Sequence, residues 1–386
     1  MTTKELDHLY VAPTYARFPV EIVSGKGSIV VDDEGKEYID MGTGIAVNTF
    51  GIADEDWIAA VEAQLHAFQH TSNLYYTAPC AKLAQLLCQA TGMKKVFFGN
   101  SGAEANECAI KAARKYAQTK KGEEYCTIVT LKNSFHGRTI TTLAATGQDV
   151  FHSQFTPLTP GFVHADVNDP AGLRALVKEH KVAAIMFEAV QGEGGVLPLP
   201  EPFVSEMKGI AKEQDILLIA DEVQAGNGRT GTMYGYMNLD ITPDIVTTAK
   251  GLGGGLPLGA CILGDKVEDV FTYSDHGSTF GGNPVACAGA VNILSRLTED
   301  VLAGVRERSQ LIFDTLTGAP GIRSVSGMGL MVGIETEKPA KDVVSACREM
   351  GVLVLTAKTK IRLLPALNIP MEELEKALAV IKIVCA

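Results

Sequence analysis

Two short apolar runs that stop abruptly constrain this chain more than any other stretch. Ile216-Leu217-Leu218-Ile219-Ala220 ends in Asp221-Glu222-Val223-Gln224, and Asp244-Ile245-Val246-Thr247-Thr248-Ala249 delivers Lys250 in front of Gly251-Leu252-Gly253-Gly254-Gly255. Short β-rich apolar runs bounded by turn residues read as strands buried on both faces. A carboxylate therefore stands at the carboxyl end of one strand and a lysine at the end of the next. In an open α/β sheet that edge is where ligands sit.

A lysine in such a place is suited to act as a nucleophile, because desolvation lowers its pKa and the glycines after it let a bulky group approach the backbone. An aspartate at the neighbouring strand end suits a ring nitrogen that has to stay protonated. Together they suggest pyridoxal phosphate, held as a Schiff base on Lys250 with Asp221 facing the pyridinium. Either residue alone reads more readily as a strand-end carboxylate or a solvated lysine, so the pair needs support from the rest of the chain.

The 386 residues suffice for two domains and a large core. A hydrophobic share of 46% with 39 glycines and only 6% aromatics fits a small-residue-rich α/β enzyme. The formal charge of −11 and the lack of a basic run disfavour nucleic acid as a partner. Eight scattered cysteines, none in a Cys-x-x-Cys pair, fit reduced thiols of a cytoplasmic protein. The amino terminus has no apolar leader-like region and no stretch is long enough to span a bilayer, so no membrane partner is expected.

Residues 18–40 alternate in a β manner around the turn-rich Asp32-Asp33-Glu34-Gly35-Lys36, and helical spacing begins at Asp54. That helix is expected to carry His66 and His70 at i and i+4, but without the glutamate of a zinc-protease motif they read as ordinary helix histidines. Val96-Phe97-Phe98 leads into Gly99-Asn100-Ser101-Gly102-Ala103-Glu104, where Ser101 and Glu104 form a capping box. Gly102 leaves backbone N–H groups uncovered at the positive end of the helix, a ready phosphate site. Thr127-Ile128-Val129-Thr130-Leu131 ends in Asn133-Ser134-Phe135-His136-Gly137-Arg138, which offers an aromatic to stack on a ring and a guanidinium fork for a carboxylate. Val182-Ala183-Ala184-Ile185-Met186-Phe187 brings Glu188 to the same edge, with Glu193 close behind. Buried carboxylates there need cationic or polar partners.

Gly226-Asn227-Gly228-Arg229-Thr230-Gly231 matches the dinucleotide fingerprint G-x-G-x-x-G. That fingerprint needs a strand feeding the first glycine and a helix after it, whereas Asp221 to Ala225 intervene and Thr232-Met233-Tyr234-Gly235-Tyr236 is a poor helix start. From about residue 285 the spacing becomes helical for a long way, suggesting one long connecting helix. Strands at 329–334, 352–355 and 361–365 and helices near 340–350 and from 371 follow. The expected organisation is an amino-terminal segment 1–45 belonging to a small domain, a large cofactor-binding domain 46–284 with a mostly parallel sheet, and a small α+β domain 285–386.

Across nearly its whole length the chain resembles the class III aminotransferases, pyridoxal-phosphate enzymes of fold type I. The matching stretches are Thr14 to Val20, His70 to Tyr76, Asn100 to Asn106, Phe135 to Thr139, Glu188 to Gly194, Asp221 to Gly231, Lys250 to Gly255 and Gly277 to Asn283. The pattern departs from many relatives at Gly51-Ile52-Ala53-Asp54, where they carry a Gly-His pair with a nearby proline.

The resemblance implies roles for residues at these positions. Lys250 would be the Schiff-base lysine and proton shuttle, Asp221 the partner of the ring nitrogen, and Gln224 a donor to the ring hydroxyl. Val223 and Phe135 would pack on the two ring faces. Ser101, Gly102 and Ala103 would hold the phosphate, Glu188 would belong to the cofactor site, and Thr279 would reach the phosphate bound by a neighbouring subunit. A homodimer with shared active sites follows. Tyr15, Arg138 and Ser278 would contact substrate, Arg138 through its α-carboxylate. Glu193 would pair with Arg362 and move aside when 2-oxoglutarate enters.

Within the family, Ser72 to Tyr76 and the short amino terminus tilt the expected amino donor toward N-acetylornithine, and hence toward arginine biosynthesis. Ornithine, succinylornithine and 4-aminobutyrate are the alternatives, and a cofactor-binding protein without transferase activity is the reading from another class.

Overall fold

A computed structural model describes residues 1–386. Its centre is a seven-stranded sheet in the order Lys95–Gly99, Gly259–Leu263, Ile245–Thr248, Leu217–Asp221, Val182–Phe187, Thr127–Leu131, Phe162–Ala165. The last five strands in that order run parallel to one another. Gly259–Leu263 runs antiparallel to both of its neighbours. The sheet is thus mostly parallel, as fold type I requires, and Leu217–Asp221 and Ile245–Thr248 are buried throughout. Register sets Asp221 beside Thr247, which brings the two strand ends expected to carry the chemistry side by side.

The helix Gly102–Lys121 lies across this sheet because its inner face is made of small residues: Ala105, Ala109, Ala112 and Ala113 are all fully buried. Ser101 caps it by accepting from Glu104 N at 3.2 Å. The reciprocal half of the expected capping box is displaced by one residue, since Glu104 Oε2 accepts from Asn100 N at 2.9 Å. The glutamate so ties down the residue before the cap and fixes the loop that enters the site.

Ile22–Lys26, Ile29–Asp32 and Glu37–Asp40 form an antiparallel meander. The run 352–355, expected as one strand, is divided: Val352–Leu353 pairs in parallel with Glu37–Asp40, while Leu355–Ala357 joins a second four-stranded sheet with Ile322–Met328, Met331–Thr336 and Lys360–Leu363. Buried Val354 marks the crossing from one sheet to the other. The long connecting helix is also two, Pro284–Arg296 and Glu299–Leu316. Thr298 breaks it with extended backbone, and Glu299 and Asp300 begin the second helix where acidic groups favour a helix start. The Glu55–Ala67 helix stops before His70, so the two histidines do not share it.

The Gly226 to Gly231 run forms turns, followed only by the single 3-10 turn Gly235–Asn238 and no α-helix. Its Arg229 is buried and donates from Nη1 to Pro365 O and Leu330 O, and its carbonyl accepts from Leu330 N. The motif fastens the central sheet to the carboxyl-terminal sheet, a task unrelated to nucleotide binding.

Candidate active site

Ten of the side chains or glycines expected from sequence meet in one cavity of about 440 Å³. Ser101, Gly102 and Ala103 line one wall, Phe135, Arg138 and Glu188 another, and Asp221, Val223, Gln224 and Lys250 stand at the strand ends. The wall over Val223 exists because residue 102 is glycine: a Cβ there would lie 2.7 Å from Val223 Cγ1. Gly102 and Ala103 open the helix whose first N–H groups have no intrahelical acceptor.

Asp221 is held by donors that the sequence did not announce. Its Oδ2 accepts from Asn106 Nδ2 at 2.8 Å and lies 2.8 Å from His136 Nδ1, and its Oδ1 accepts from Val223 N at 3.1 Å. Asn106 in turn accepts from Thr247 Oγ1 at 2.6 Å. With Oδ2 doubly engaged, Oδ1 keeps a free acceptor direction for a ring N–H. Asn106 was visible only as a motif letter. The clue to its role was a polar residue on a buried helix face otherwise made of alanine, cysteine and isoleucine.

Burial depresses the Lys250 ammonium below its ordinary pKa, and the Glu193 and Asp221 carboxylates oppose that shift. Arg362 Nη1 donates to Glu193 Oε1 at 2.6 Å and to Gln224 Oε1 at 3.0 Å. Burial alone would raise the Glu193 carboxyl, but the charge and hydrogen bond of Arg362 carry it below the usual carboxylate range. Arg362 is buried, whereas the Glu193 side chain keeps 30% exposure, so the carboxylate is the partner with room to leave. Glu188 accepts from Phe135 N and Gly192 N, and burial, opposed by His136 and reinforced by Asp221, pushes its carboxyl up to about 7.

Arg138 lies over the Phe151 ring at 4.1 Å and the Phe135 ring at 5.5 Å, which holds its fork near the cavity mouth. Ser278, Thr279 and Tyr15 do not line this cavity. Ser278 Oγ accepts from Asn100 Nδ2 at 3.1 Å and Gly281 N at 3.0 Å, facing a second cavity with Tyr75 and Tyr76. Thr279 is exposed beside it, and Tyr15 is 74% exposed on the amino-terminal segment. A single chain therefore does not bring these three to the Lys250 site.

Residues 10–384 match the family model described as aminotransferase class-III. The chain is 51% identical over 380 residues to an acetylornithine aminotransferase of Haemophilus ducreyi, covering 98% of this chain and 97% of that one. It is 44% identical to an acetylornithine aminotransferase of Aquifex aeolicus, covering 97% and 99%. Among solved structures, the ornithine aminotransferase from Toxoplasma gondii superimposes with a TM-score of 0.95 at 32% identity over 100% of this chain and 95% of that one. The N-acetylornithine aminotransferase from Stenotrophomonas maltophilia gives 0.85 at 35% identity over 98% and 97%. With a lysine and an aspartate on adjacent strand ends and a full-length match in sequence and fold, the chain belongs to the class-III aminotransferases.

Proposed function

We propose that this aminotransferase uses pyridoxal 5'-phosphate to move the terminal amine of N2-acetyl-L-ornithine to 2-oxoglutarate, giving N-acetyl-L-glutamate 5-semialdehyde and L-glutamate, a step of arginine biosynthesis. The observation that carries the reading is the buried Arg362 paired with the partly exposed Glu193 beside Lys250. One pocket has to accept an uncharged acetamido chain and then a dicarboxylate. With Glu193 in place the pair is neutral; with Glu193 displaced, Arg362 offers a bidentate fork. The shared name of the curated relatives supports the donor.

The residues present fit the cofactor. The cavity accommodates a substituted ring, the space over Val223 depends on Gly102, helix N–H groups face the phosphate end, and Asp221 keeps an open acceptor. Pyridoxal phosphate, when bound, supplies an aldehyde for linkage to an amine and a protonated ring that draws electron density from the carbon losing a proton.

Asp221 keeps the ring nitrogen protonated, since an adjacent carboxylate favours the cationic form. Lys250, its ammonium depressed by burial, would have a free amine to take a proton from the donor's δ-carbon and deliver it to C4′ of the cofactor. Arg138 holds the donor's α-carboxylate near the mouth. Gln224, whose Oε1 accepts from Arg362 and whose Nε2 donates to Glu193 Oε1 at 3.5 Å, keeps a second amide N–H for the ring hydroxyl.

The proposed assembly is a homodimer in which Thr279 serves the phosphate of the neighbouring site and Ser278 contacts substrate; neither lines this chain's own cavity. A cytoplasmic location accords with eight free cysteines, and no helix is long and apolar enough to cross a membrane.

A second reading, ornithine as donor, is favoured by the superposition on the Toxoplasma gondii ornithine aminotransferase. A donor panel separates the two: the purified yellow protein should bleach fastest with N-acetylornithine in the absence of a keto acid. Faster bleaching by ornithine or 4-aminobutyrate ends the acetylornithine assignment, and colour that no donor bleaches ends the enzymatic one.

A further inference from the structure

Lys250 has a left-handed backbone, φ 44°, and Ala249 before it lies at φ −163°, ψ −141°. A residue bearing a Cβ adopts the left-handed region only where its surroundings impose it, and such positions concentrate at functional sites. Here the imposition is visible. The three alternate carbonyls of Ala249, Gly251 and Gly253 each accept from a side chain of a different part of the chain. Asn227 Nδ2 donates to Ala249 O at 3.2 Å, Thr49 Oγ1 to Gly251 O at 2.7 Å, and Trp57 Nε1 to Gly253 O at 3.2 Å.

Each donor is itself restrained. Asn227 Nδ2 also donates to Thr248 Oγ1 at 2.9 Å, so one amide grips the chain on both sides of the peptide entering Ala249. Thr49 is buried, and a Cβ on residue 251 would lie 2.8 Å from its Oγ1, so only glycine leaves room for this bond. The Thr49 carbonyl accepts from Leu367 N at 2.9 Å, just beyond the strand that carries Arg362. Trp57 packs against the same loop, where a Cβ on Gly254 would lie 2.9 Å from Nε1.

We propose that Thr49, Asn227 and Trp57 are positioning residues that hold these three carbonyls, fix the backbone of Lys250 in its left-handed form, and thereby aim its amine into the cavity. If residue 250 relaxed to a right-handed or extended φ, its Cα–Cβ bond would turn away from the present direction. The amine, at the end of a four-carbon stem, would move further than any atom of the loop. The inference rests on the reading of Lys250 as the cofactor-bearing lysine and extends it to three side chains that need not touch cofactor or substrate.

The test compares Thr49→Val, which keeps shape and removes the donor, with Thr49→Ser, which keeps the hydroxyl. Cofactor-free wild type and variants are mixed with pyridoxal phosphate, and attachment, with loss of water, is followed by absorbance. Borohydride trapping and mass analysis of the Lys250 peptide then locate the bond. Thr49→Val should attach cofactor roughly tenfold to a hundredfold more slowly and lose a similar factor in kcat, with KM for both substrates little changed. Thr49→Ser should recover most of both, and both variants should melt near the wild type. Should Thr49→Val not fold, Trp57→Phe, which keeps an aromatic ring and removes the N–H, is expected to slow attachment in the same sense. Attachment by Thr49→Val or Trp57→Phe at the wild-type rate overturns the proposal, as does failure of Thr49→Ser to restore it. Absence of the cofactor from Lys250 in the wild type overturns instead the reading beneath it, and the two failures are told apart by that control.

Discussion

Asn106 Nδ2 donates a 2.8 Å hydrogen bond to Asp221 Oδ2, while its Oδ1 accepts from Thr247 on the adjacent strand at 2.6 Å. All three side chains are buried. The amide thus fixes which way the carboxylate faces. Asn106→Ala should lower kcat by about 10- to 100-fold, the equivalent of roughly 1–3 kcal/mol for a buried hydrogen-bonding group left without its partner. KM should change less. Steady-state kinetics checks this, and an unchanged kcat would remove Asn106 from the account of the site.

Arg362 and Glu193 should separate the two half-reactions. Arg362→Ala removes the fork for the second carboxylate, so KM for 2-oxoglutarate should rise by about 100-fold or more. Bleaching by the uncharged-chain donor should fall by less than about tenfold. Glu193→Gln leaves Arg362 uncompensated and should speed bleaching by 4-aminobutyrate, whose terminal carboxylate the arginine then holds. Single-turnover absorbance with each donor reads both variants; equal losses in both half-reactions would contradict the division of labour.

Gly102→Ala is expected to weaken cofactor retention by roughly tenfold or more, because the added carbon meets Val223 Cγ1 at 2.7 Å and displaces either the ring-facing valine or the helix N–H groups. Equilibrium titration of cofactor-free protein by absorbance gives the number. Tight binding with normal colour would show that the glycine is not required.

His164 gives a pH dependence with a definite sign. Burial, followed by the neighbouring His152 and His136, holds its imidazole down at about 4 against an ordinary 6.5, and its Nδ1 lies 2.7 Å from Thr130 Oγ1. A depressed folded-state pKa contributes stability that is fully present above 6.5 and is lost as pH falls through about 4, on the order of 3 kcal/mol in all. Glu188 and Glu222 tilt the other way. Burial raises their carboxyls to about 7 and about 8, so their contributions are lost as pH rises from about 4.5 through those values. The His164 contribution is therefore read as a difference. The melting temperature of the wild type should fall more steeply between pH 6.5 and 4 than that of His164→Gln, and parallel curves would refute it.

The strand ends were readable because their residues announce them: an uninterrupted apolar run, then Asp221, and a second run, then Lys250 before its glycines. Both strands fall where the composition placed them, and parallel pairing sets them adjacent. What the sequence could not reveal was who holds Asp221, since Asn106 and His136 lie 115 and 85 residues away along the chain. Only the packing of the Gly102–Lys121 helix on the sheet creates that meeting. The division of residues 352–355 between two sheets was hidden for a related reason. Periodicity describes which face a residue shows, not which sheet it pairs with. The interruption at Thr298 was legible in principle, as threonine followed by Glu299 and Asp300 is a helix-start pattern.

Arg229 joins the central sheet to the carboxyl-terminal one through the carbonyls of Leu330 and Pro365, not through a carboxylate. Added electrolyte weakens attraction between exposed ions but has little hold on a guanidinium bound to neutral oxygens away from water. The chain thus carries two kinds of fastening. Pairs such as Lys26 with Glu55 loosen in brine, whereas the rivet between Arg229 and the carbonyls of Leu330 and Pro365 does not.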